Sequence, residues 1–190
     1  MARMISNSID VVAFLKEQHQ QIKAMFKEVR STQGDSRKEA FFALRRLLAV
    51  HETAEEEIIH PAARKALPSG DAIVDIRLQE EHKAKKQLAA IEELELDSLE
   101  FEAQITLLEA DVIAHAEAEE RQEFQPLGDS LDAQRLERMR KAVSFAERVA
   151  PTRPHAGVES QAANILAGPF ASMLDRARDA LTGKSTDIGD

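Results

Sequence analysis

One long segment, Phe41 to Ala62, places the strongest constraint on the fold of this chain. Its first part, Phe41–Val50, is a mostly apolar run without Gly or Pro, so the predicted helix continues into the polar stretch that follows. His51 and Glu55 are four residues apart and project from one helix face. The same face is apolar before and after them, at Leu44, Leu48, Ile58 and Ala62. A carboxylate on a core-facing stripe is rarely buried unless it is paired or bound to a metal.

The composition excludes several classes of protein. The chain has 190 residues, of which 43% are hydrophobic and 31% charged, as expected for one globular domain with a small appendage. A net charge of -9 argues against a nucleic-acid partner. The absence of Cys excludes disulfides, thiolate ligands and iron–sulfur clusters. Because no segment resembles a signal peptide or a membrane span, we expect a cytoplasmic protein without a membrane partner.

Four long segments with apolar stripes predict four helices. They cover about residues 8–30, 36–67, 72–96 and 99–125. Ser8 or Asp10 can cap the first helix, and Pro61 is expected to kink the second. Short connections between four long helices favour an antiparallel up-down-up-down four-helix bundle. No run of alternating β-branched residues indicates a strand, so the expected fold class is all-α.

The chain continues beyond this bundle. Residues 129–149 predict a shorter, more polar helix, and Pro151–His155 predicts an extended linker. An amphipathic segment between Asn164 and Leu181 could pack on the bundle or on a protein partner. We therefore expect a bundle domain at 8–127, followed at 128–190 by an additional C-terminal helix, a Pro-rich linker and an amphipathic tail.

Each bundle helix carries one histidine on its apolar stripe. These histidines are His19, His51, His82 and His115. A single one is usually a core histidine with satisfied hydrogen bonds, but four, together with Glu55 and Glu119, are improbable by chance. With a rise of about 1.5 Å per residue, the four histidines fall within about 6 Å of one level, and both glutamates lie about one turn away. We therefore predict that all six side chains meet inside the bundle.

The two halves of the chain repeat this arrangement. His19 precedes His51 by 32 positions, and His82 precedes His115 by 33. The second histidine of each half is followed four residues later by a glutamate. This spacing indicates a pseudo-two-fold site that takes two histidines and one glutamate from each half.

Histidine and carboxylate donors without sulfur suit Fe, Mn or Zn. Four imidazoles and two bridging carboxylates supply roughly eight bonds, whereas two octahedral metals need about twelve. A shared oxo or hydroxo group would leave about two positions for water, dioxygen or peroxide. One zinc ion would use four ligands and leave two carboxylates without a partner, so a dinuclear site is favoured. Zinc proteolysis is not expected, because Glu55 stands where the second histidine of that motif is required.

The residues around these positions resemble the haemerythrin-like, HHE cation-binding family. The resemblance covers about residues 8–127 and is specific as a set of four motifs. The motifs are Glu17-Gln18-His19-Gln20-Gln21-Ile22, His51-Glu52-Thr53-Ala54-Glu55-Glu56-Glu57, Glu80-Glu81-His82 and His115-Ala116-Glu117-Ala118-Glu119-Glu120. It implies a non-haem centre of two oxo- or hydroxo-bridged Fe ions, with Mn or Zn less favoured. The ligands it implies are His19, His51, Glu55, His82, His115 and Glu119.

The resemblance also narrows the expected function. Members of the family are associated with dioxygen binding, with oxygen or iron sensing, and with handling of peroxide or nitric oxide. The oxygen carriers have a second histidine one turn from the first on the third helix, but here Leu78 and Lys86 flank His82. This disfavours oxygen transport and favours either redox chemistry, such as catalase-like decomposition of peroxide, or sensing. An oxygen or iron sensor that signals through the tail without catalysis is the alternative, and a helical module without metal is a third hypothesis.

Several further residues remain open. The oxygen carriers space the histidine and carboxylate of the last helix by five residues, which would select Glu120 instead of Glu119. Glu52 could be an additional ligand, although it is expected on a solvated face. His60 is nine residues after His51, half a turn out of phase on an ideal helix. It is expected to face away unless Pro61 distorts the backbone, and Lys85 is expected to extend into solvent.

Overall fold

The structure is a computed structural model in which residues 10–149 are described. Within this range the chain forms α-helices and two five-residue π-helical turns, without any strand. The elements are α1 (Val11–Ser31), α2 (Gly34–Ala54), π1 (Glu55–Ile59), α3 (His60–Ala66), α4 (Gly70–Glu92), α5 (Leu99–Glu119), π2 (Glu120–Phe124), α6 (Gln125–Ser130) and α7 (Ala133–Val149). The predicted all-α fold is confirmed. None of the helices in the described range is long and apolar enough to cross a membrane.

Four long helical segments form the bundle. They are α1, the continuous run α2–π1–α3, α4, and the continuous run α5–π2–α6. Helix α1 packs against α2 and α5, and α4 packs against α3 and α5. Because the connections are short, successive segments run antiparallel, as the sequence predicts.

Local chemistry determines where the helices begin. The side chain of Asp10, one of the two predicted caps, accepts a hydrogen bond of 2.9 Å from the Ala13 amide. Ser98 accepts one of 3.1 Å from the Phe101 amide at the start of α5. Such caps satisfy amides that have no partner within the helix. Gly34 opens α2 with a φ of 59°, a left-handed conformation that glycine adopts without strain.

Two apolar clusters occupy the two ends of the bundle, with polar residues between them. The first cluster includes Ile22, Phe26, Leu44, Leu88, Phe101 and Leu108. The second includes Val11, Leu15, Ile59, Phe124 and Leu127. On three of the bundle segments the inward histidine or glutamate lies between these clusters, whereas on α4 Glu81 lies between Leu88 of the first cluster and Val74 of a small third cluster. The polar centre is therefore enclosed by apolar side chains at both ends.

Helix α7 completes the second cluster. It packs against α1, α2 and π1. Its contribution to the apolar core consists of Leu136, Met139, Val143 and Ala146. The predicted fifth helix is therefore present and shares a core with the bundle. The predicted linker at Pro151–His155 and the segment between Asn164 and Leu181 lie outside the described residues, and the proposed domain division stays a prediction.

Each segment that carries a His–Glu pair contains one π turn, which begins at Glu55 in the second segment and directly after Glu119 in the fourth. The His60 amide donates to the carbonyl of Glu55, and the Gln125 amide donates to the carbonyl of Glu120. A π turn holds one residue more than an α turn. Pro61 and Pro126 follow these turns within the first turn of α3 and α6, where a missing amide is tolerated. A widened turn thus precedes each proline, and the helical run continues past both of them.

Candidate metal centre

Four buried side chains from three segments converge between the two apolar clusters. They are His19 from α1, His51 from α2, Glu55 from π1 and Glu119 from α5. One potential ligand atom of each residue lies within 4.8 Å of those of the other three. All four belong to the set that the sequence predicts.

Two further groups of potential ligands adjoin this one through Glu119. Glu81 and His115 form one group with Glu119, and His60 and Glu123 form the other. The ligand atoms within each group again lie within 4.8 Å of one another. Glu119 is therefore the common member of three donor groups.

The structure does not bring His82 to the centre. His82 is exposed, whereas Glu81, the residue before it, is only 1% exposed. The buried stripe of α4 runs through Val74, Arg77, Glu81, Leu88 and Ile91. We expected His82 to face inward because the sequence places it on the apolar stripe of the third helix, and that expectation is wrong. The remaining five predicted residues do lie together.

The pseudo-two-fold relationship therefore differs from the predicted one. His51 and Glu55 correspond to His115 and Glu119, each 64 positions later. On the other two helices the structural equivalent of His19 is Glu81, 62 positions later. One half of the centre thus contributes a carboxylate where the other half contributes an imidazole.

The three inward histidines that the sequence identified share one hydrogen-bonding arrangement. In each, Nδ1 faces an oxygen acceptor on the outer side. The pairs are His19 Nδ1 with Glu120 Oε1 at 2.9 Å, His51 Nδ1 with Gln18 Oε1 at 3.0 Å, and His115 Nδ1 with Glu80 Oε2 at 2.8 Å. Hydrogen bonds of this kind orient the ring of a metal-binding histidine. Glu120, the alternative to Glu119, therefore holds His19 and lies outside the three donor groups.

The other nitrogen of each ring faces the two central carboxylates. The Nε2 of His51 lies 3.2 Å from Glu55 Oε1. The Nε2 of His115 lies 3.3 Å from Glu119 Oε1, and that of His19 lies 3.5 Å from Glu119 Oε2. Glu119 thus uses its two oxygens toward histidines from two different helices, as a bridging carboxylate would.

His60 also faces inward, contrary to expectation. It is 2% exposed, with Nδ1 2.8 Å from Glu123 Oε1 and Nε2 2.7 Å from Glu81 Oε1. On an ideal helix, nine residues would place it opposite His51. Because π1 adds one residue, His60 lies one full turn after Glu55, on the same side of the helix. Pro61 was the signal in the sequence, and Glu123 was missed altogether.

Several buried polar atoms of the centre have no hydrogen-bond partner within residues 10–149. They are both carboxylate oxygens of Glu55 and Glu119, Oε2 of Glu81 and Glu123, and Nε2 of His19 and His115. Each buried polar atom without a partner costs about 1–3 kcal/mol, and more when it is charged. Cations placed among these atoms would pair them. The nitrogen and oxygen donors therefore fit Fe, Mn or Zn.

Burial changes the ionisation of the central groups. Burial, reinforced by Glu119, raises the pKa of Glu55 well above its usual range. Burial also raises the pKa of Glu81 to about 8, although His60 opposes this. Burial and the neighbouring His19 lower the pKa of His51 to about 3, so its imidazole is neutral at neutral pH, as a metal ligand must be.

Lys85 lies at the edge of the centre instead of extending freely into solvent. Its side chain is 29% exposed, with Nζ 3.6 Å from Glu52 Oε2 and 3.7 Å from Glu81 Oε2. It also contacts Glu56. The three carboxylates attract the ammonium group inward, which corrects our expectation. Glu52 therefore pairs with Lys85 and is not among the donor groups.

A cavity of about 270 Å³ connects the centre with the surface between α1, α4 and α5. Its lining includes His19, His51, Glu81 and His115, whereas His60 and Glu123 do not line it. A water molecule takes up about 30 Å³ of the liquid, so the cavity has room for several small molecules. Small ligands can therefore reach the face of the centre that these four residues form.

A helical bundle that encloses buried histidines and carboxylates defines a metal-binding helical protein. The sequence model of the Hemerythrin HHE cation binding domain matches residues 10–127. The chain therefore belongs to the haemerythrin HHE cation-binding family, which confirms the resemblance found in its motifs.

A crystal structure of a hemerythrin HHE cation binding domain-containing protein from Mycobacterium kansasii has the same fold. It has 18% sequence identity to this chain and a TM-score of 0.67, and the match covers 88% of this chain and 99% of that one. At this identity the likeness supports the fold alone. Among curated proteins, no sequence matches this chain significantly.

Proposed function

We propose that this chain is a non-haem di-iron protein that binds or reacts with dioxygen, peroxide or nitric oxide. The observation that carries the proposal is the pair of central carboxylates, Glu55 and Glu119. All four of their oxygens are buried without a hydrogen-bond partner in the described range, and imidazole nitrogens surround them. Two cations would satisfy these oxygens together with the histidines.

Two sets of residues would hold the two ions. The first set is His19, His51, Glu55 and Glu119. The second is Glu81 and His115, with Glu119 in common. When bound, the iron pair supplies redox electrons and open coordination positions. We place Glu81 in this role and leave out His82, which is exposed.

The surrounding residues determine how the centre would work. Glu120, Gln18 and Glu80 orient three imidazoles, and the apolar clusters exclude bulk water from both ends. The cavity admits small molecules to the face lined by His19, His51 and His115. Open coordination positions on that face would meet an incoming ligand directly.

The donor set favours redox chemistry over reversible oxygen transport. Glu81 stands where the other half of the centre has an imidazole, His19. An additional negative ligand stabilises the more positive, oxidised metal. A centre that stays ferric more readily is better suited to reaction with peroxide than to carrying dioxygen. We therefore favour a peroxide-decomposing, catalase-like activity.

Iron loading and oxygen evolution test the proposal together. The purified protein should bind two equivalents of iron, show the absorption of a bridged ferric pair, and release oxygen from hydrogen peroxide. His51→Ala should lose iron and activity, whereas His82→Ala is the matched histidine control and should keep both. Less than one equivalent of iron in the natural protein, or equal oxygen evolution by His51→Ala, contradicts the proposal.

A further inference from the structure

We propose that His60 is a fourth imidazole ligand of the centre, coordinating through Nε2 beside Glu81 and His115, while Glu123 holds its other nitrogen. The inference rests on the proposed function, because it requires a metal at the second set of donors. It adds a residue that lies outside all four family motifs of the sequence.

The orientation of the ring is the first observation. His60 Nδ1 faces Glu123 Oε1 at 2.8 Å, on the side away from the cavity. His60 Nε2 faces Glu81 Oε1 at 2.7 Å. The rings of His19, His51 and His115 are held in the same way, with Nδ1 on an outer acceptor and Nε2 toward a central carboxylate. A carboxylate that holds the far nitrogen of a ligating histidine is a common arrangement in metal sites.

The neighbouring donors are the second observation. His60 forms a potential ligand group with Glu119 and Glu123, and Glu119 also belongs to the group of Glu81 and His115. His60 therefore contacts the second donor set through Glu81, and one of its ring nitrogens lies within 4.8 Å of a Glu119 oxygen. A cation between Glu81, His115 and Glu119 would replace the proton that joins His60 to Glu81.

A purely structural role for His60, without a metal, explains these contacts less completely. Two carboxylates would suffice to pair both nitrogens of His60. However, Glu81 and Glu123 each keep one buried oxygen without a hydrogen-bond partner in the described range, and Glu119 keeps two. Lys85 lies 3.7 Å from the remaining oxygen of Glu81, which is too far for a hydrogen bond. A structural role for His60 leaves the two Glu119 oxygens unexplained, whereas a metal beside His60 gives the oxygens of Glu81 and Glu119 a partner.

The two halves of the bundle differ at this position. The residue 64 positions after His60 is Phe124, which stacks on His19 with ring centroids 5.4 Å apart and an interplanar angle of 17°. The first donor set thus has two imidazoles, His19 and His51, and Phe124 covers the ring of His19. With His60 beside His115, the second donor set also has two imidazoles. The centre then has four imidazoles, the number that the sequence predicts, with His60 in place of His82.

Replacement of His60 by phenylalanine, the residue found at position 124, provides the test. His82→Phe is the matched control, because it makes the same change at an exposed position. We expect two equivalents of iron in the natural protein and in His82→Phe. In His60→Phe one equivalent should bind normally and the other at least about 10–100-fold more weakly.

The number of ligating imidazoles is a second readout that does not depend on activity. In protein loaded with Co(II), each imidazole bound through Nε2 shows one hyperfine-shifted, exchangeable Nδ1–H proton resonance. Four such resonances are expected for the natural protein and for His82→Phe, and three for His60→Phe. Four resonances and two unchanged iron equivalents in a folded His60→Phe protein overturn the inference and leave the proposed function standing. Absence of bound metal in the natural protein overturns both.

A second variant, Glu123→Gln, tests the inference if the His60→Phe protein does not fold. Glutamine keeps an oxygen acceptor for His60 Nδ1 but removes its charge. We expect four resonances, with one of them shifted, and one iron equivalent weakened about 10–100-fold. Resonances and affinities identical to those of the natural protein overturn the inference.

Discussion

The backbone amide of His60 donates its hydrogen bond to the carbonyl of Glu55, five residues earlier. In an α-helix that carbonyl would accept from residue 59. The single additional residue of π1 therefore keeps Glu55 and His60 on one side of the helix. The residues after π1 therefore face the same directions as they would in an uninterrupted α-helix with one residue removed.

Deletion of Glu57 should consequently be tolerated. The deletion removes the additional residue from π1, converts the turn to α-helix, and leaves Glu55 and His60 one turn apart. We expect iron content to stay at two equivalents and the free energy of unfolding to change by no more than about 1–2 kcal/mol. Iron analysis and urea denaturation measure both quantities.

Deletion of Arg46 is the control for this prediction. Arg46 lies in the regular part of the same helical run. Its loss rotates the flanking core residues by about 100° relative to one another, so this variant should lose iron and stability. If both deletions are equally harmful, π1 is not a simple one-residue insertion.

The metal-free protein should become less stable as the pH rises from about 6.5 to 8. Burial raises the pKa of Glu81 to about 8 and that of Glu52 to about 7, so the folded protein retains protons that the unfolded chain has lost. The contribution of such a group to the free energy of unfolding is fully present below its pKa in the unfolded chain. That contribution is lost as the pH rises through its pKa in the folded protein. His51 does not oppose the trend, because it is neutral in both states above about pH 6.5.

Urea denaturation of metal-free protein across this pH range measures the effect. The free energy of unfolding should fall by about 1.4 kcal/mol per pH unit for each additional proton retained. Glu81→Gln removes one of the titrating groups and should give a shallower slope. A free energy of unfolding that increases with pH in this window is the contrary result.

Metal binding at neutral pH should release protons. Glu55 and Glu81 have raised pKa values in the metal-free protein, and both carboxylates must be deprotonated to bind a cation. Calorimetric titration with Fe(II) or Zn(II) in buffers of different ionisation enthalpy gives the number of protons. We expect at least one proton per protein at pH 7 and a higher apparent affinity at pH 8. A binding enthalpy that is the same in every buffer contradicts this prediction.

The five predicted residues that the structure brings together share one property. His19, His51 and His115 interrupt stripes that are otherwise apolar, and Glu55 and Glu119 follow two of them at helical spacing. On these helices the apolar neighbours leave little freedom in the choice of buried face. The bundle and five of the six predicted side chains could therefore be derived from periodicity.

Helix α4 does not provide the same information. Its buried stripe contains Arg77 and Glu81, whose burial depends on partners from other parts of the structure. Arg77 donates a hydrogen bond of 3.5 Å to the His115 carbonyl on α5, and Glu81 pairs with His60 at 2.7 Å. Hydrophobicity alone places such residues in solvent, so the pattern of apolar residues indicates His82 and does not indicate Glu81. The difference is one residue, or about 100° around the helix.

His60 was missed for a different reason. Its direction depends on π1, and an argument from ideal helical spacing contains no inserted residue. Pro61 indicates that the backbone is disturbed near this point, but proline kinks, breaks or widens helices in different contexts. The tertiary contacts of His60 with Glu81 and Glu123 distinguish these outcomes, and they can be read only from the folded chain.

Filling the cavity should slow the reaction with small ligands without removing the metal. Ala84 lines the cavity from α4, and phenylalanine there would occupy part of the path to the centre. If the additional ring raises the barrier to ligand entry by about 1–3 kcal/mol, the rate falls by about 5-fold to 160-fold. Ala90→Phe on the exposed side of the same helix is the control. In stopped-flow measurements the loss should increase from nitric oxide to hydrogen peroxide to an organic hydroperoxide, with iron content unchanged. Equal rates for both variants would show that ligands reach the centre by another path.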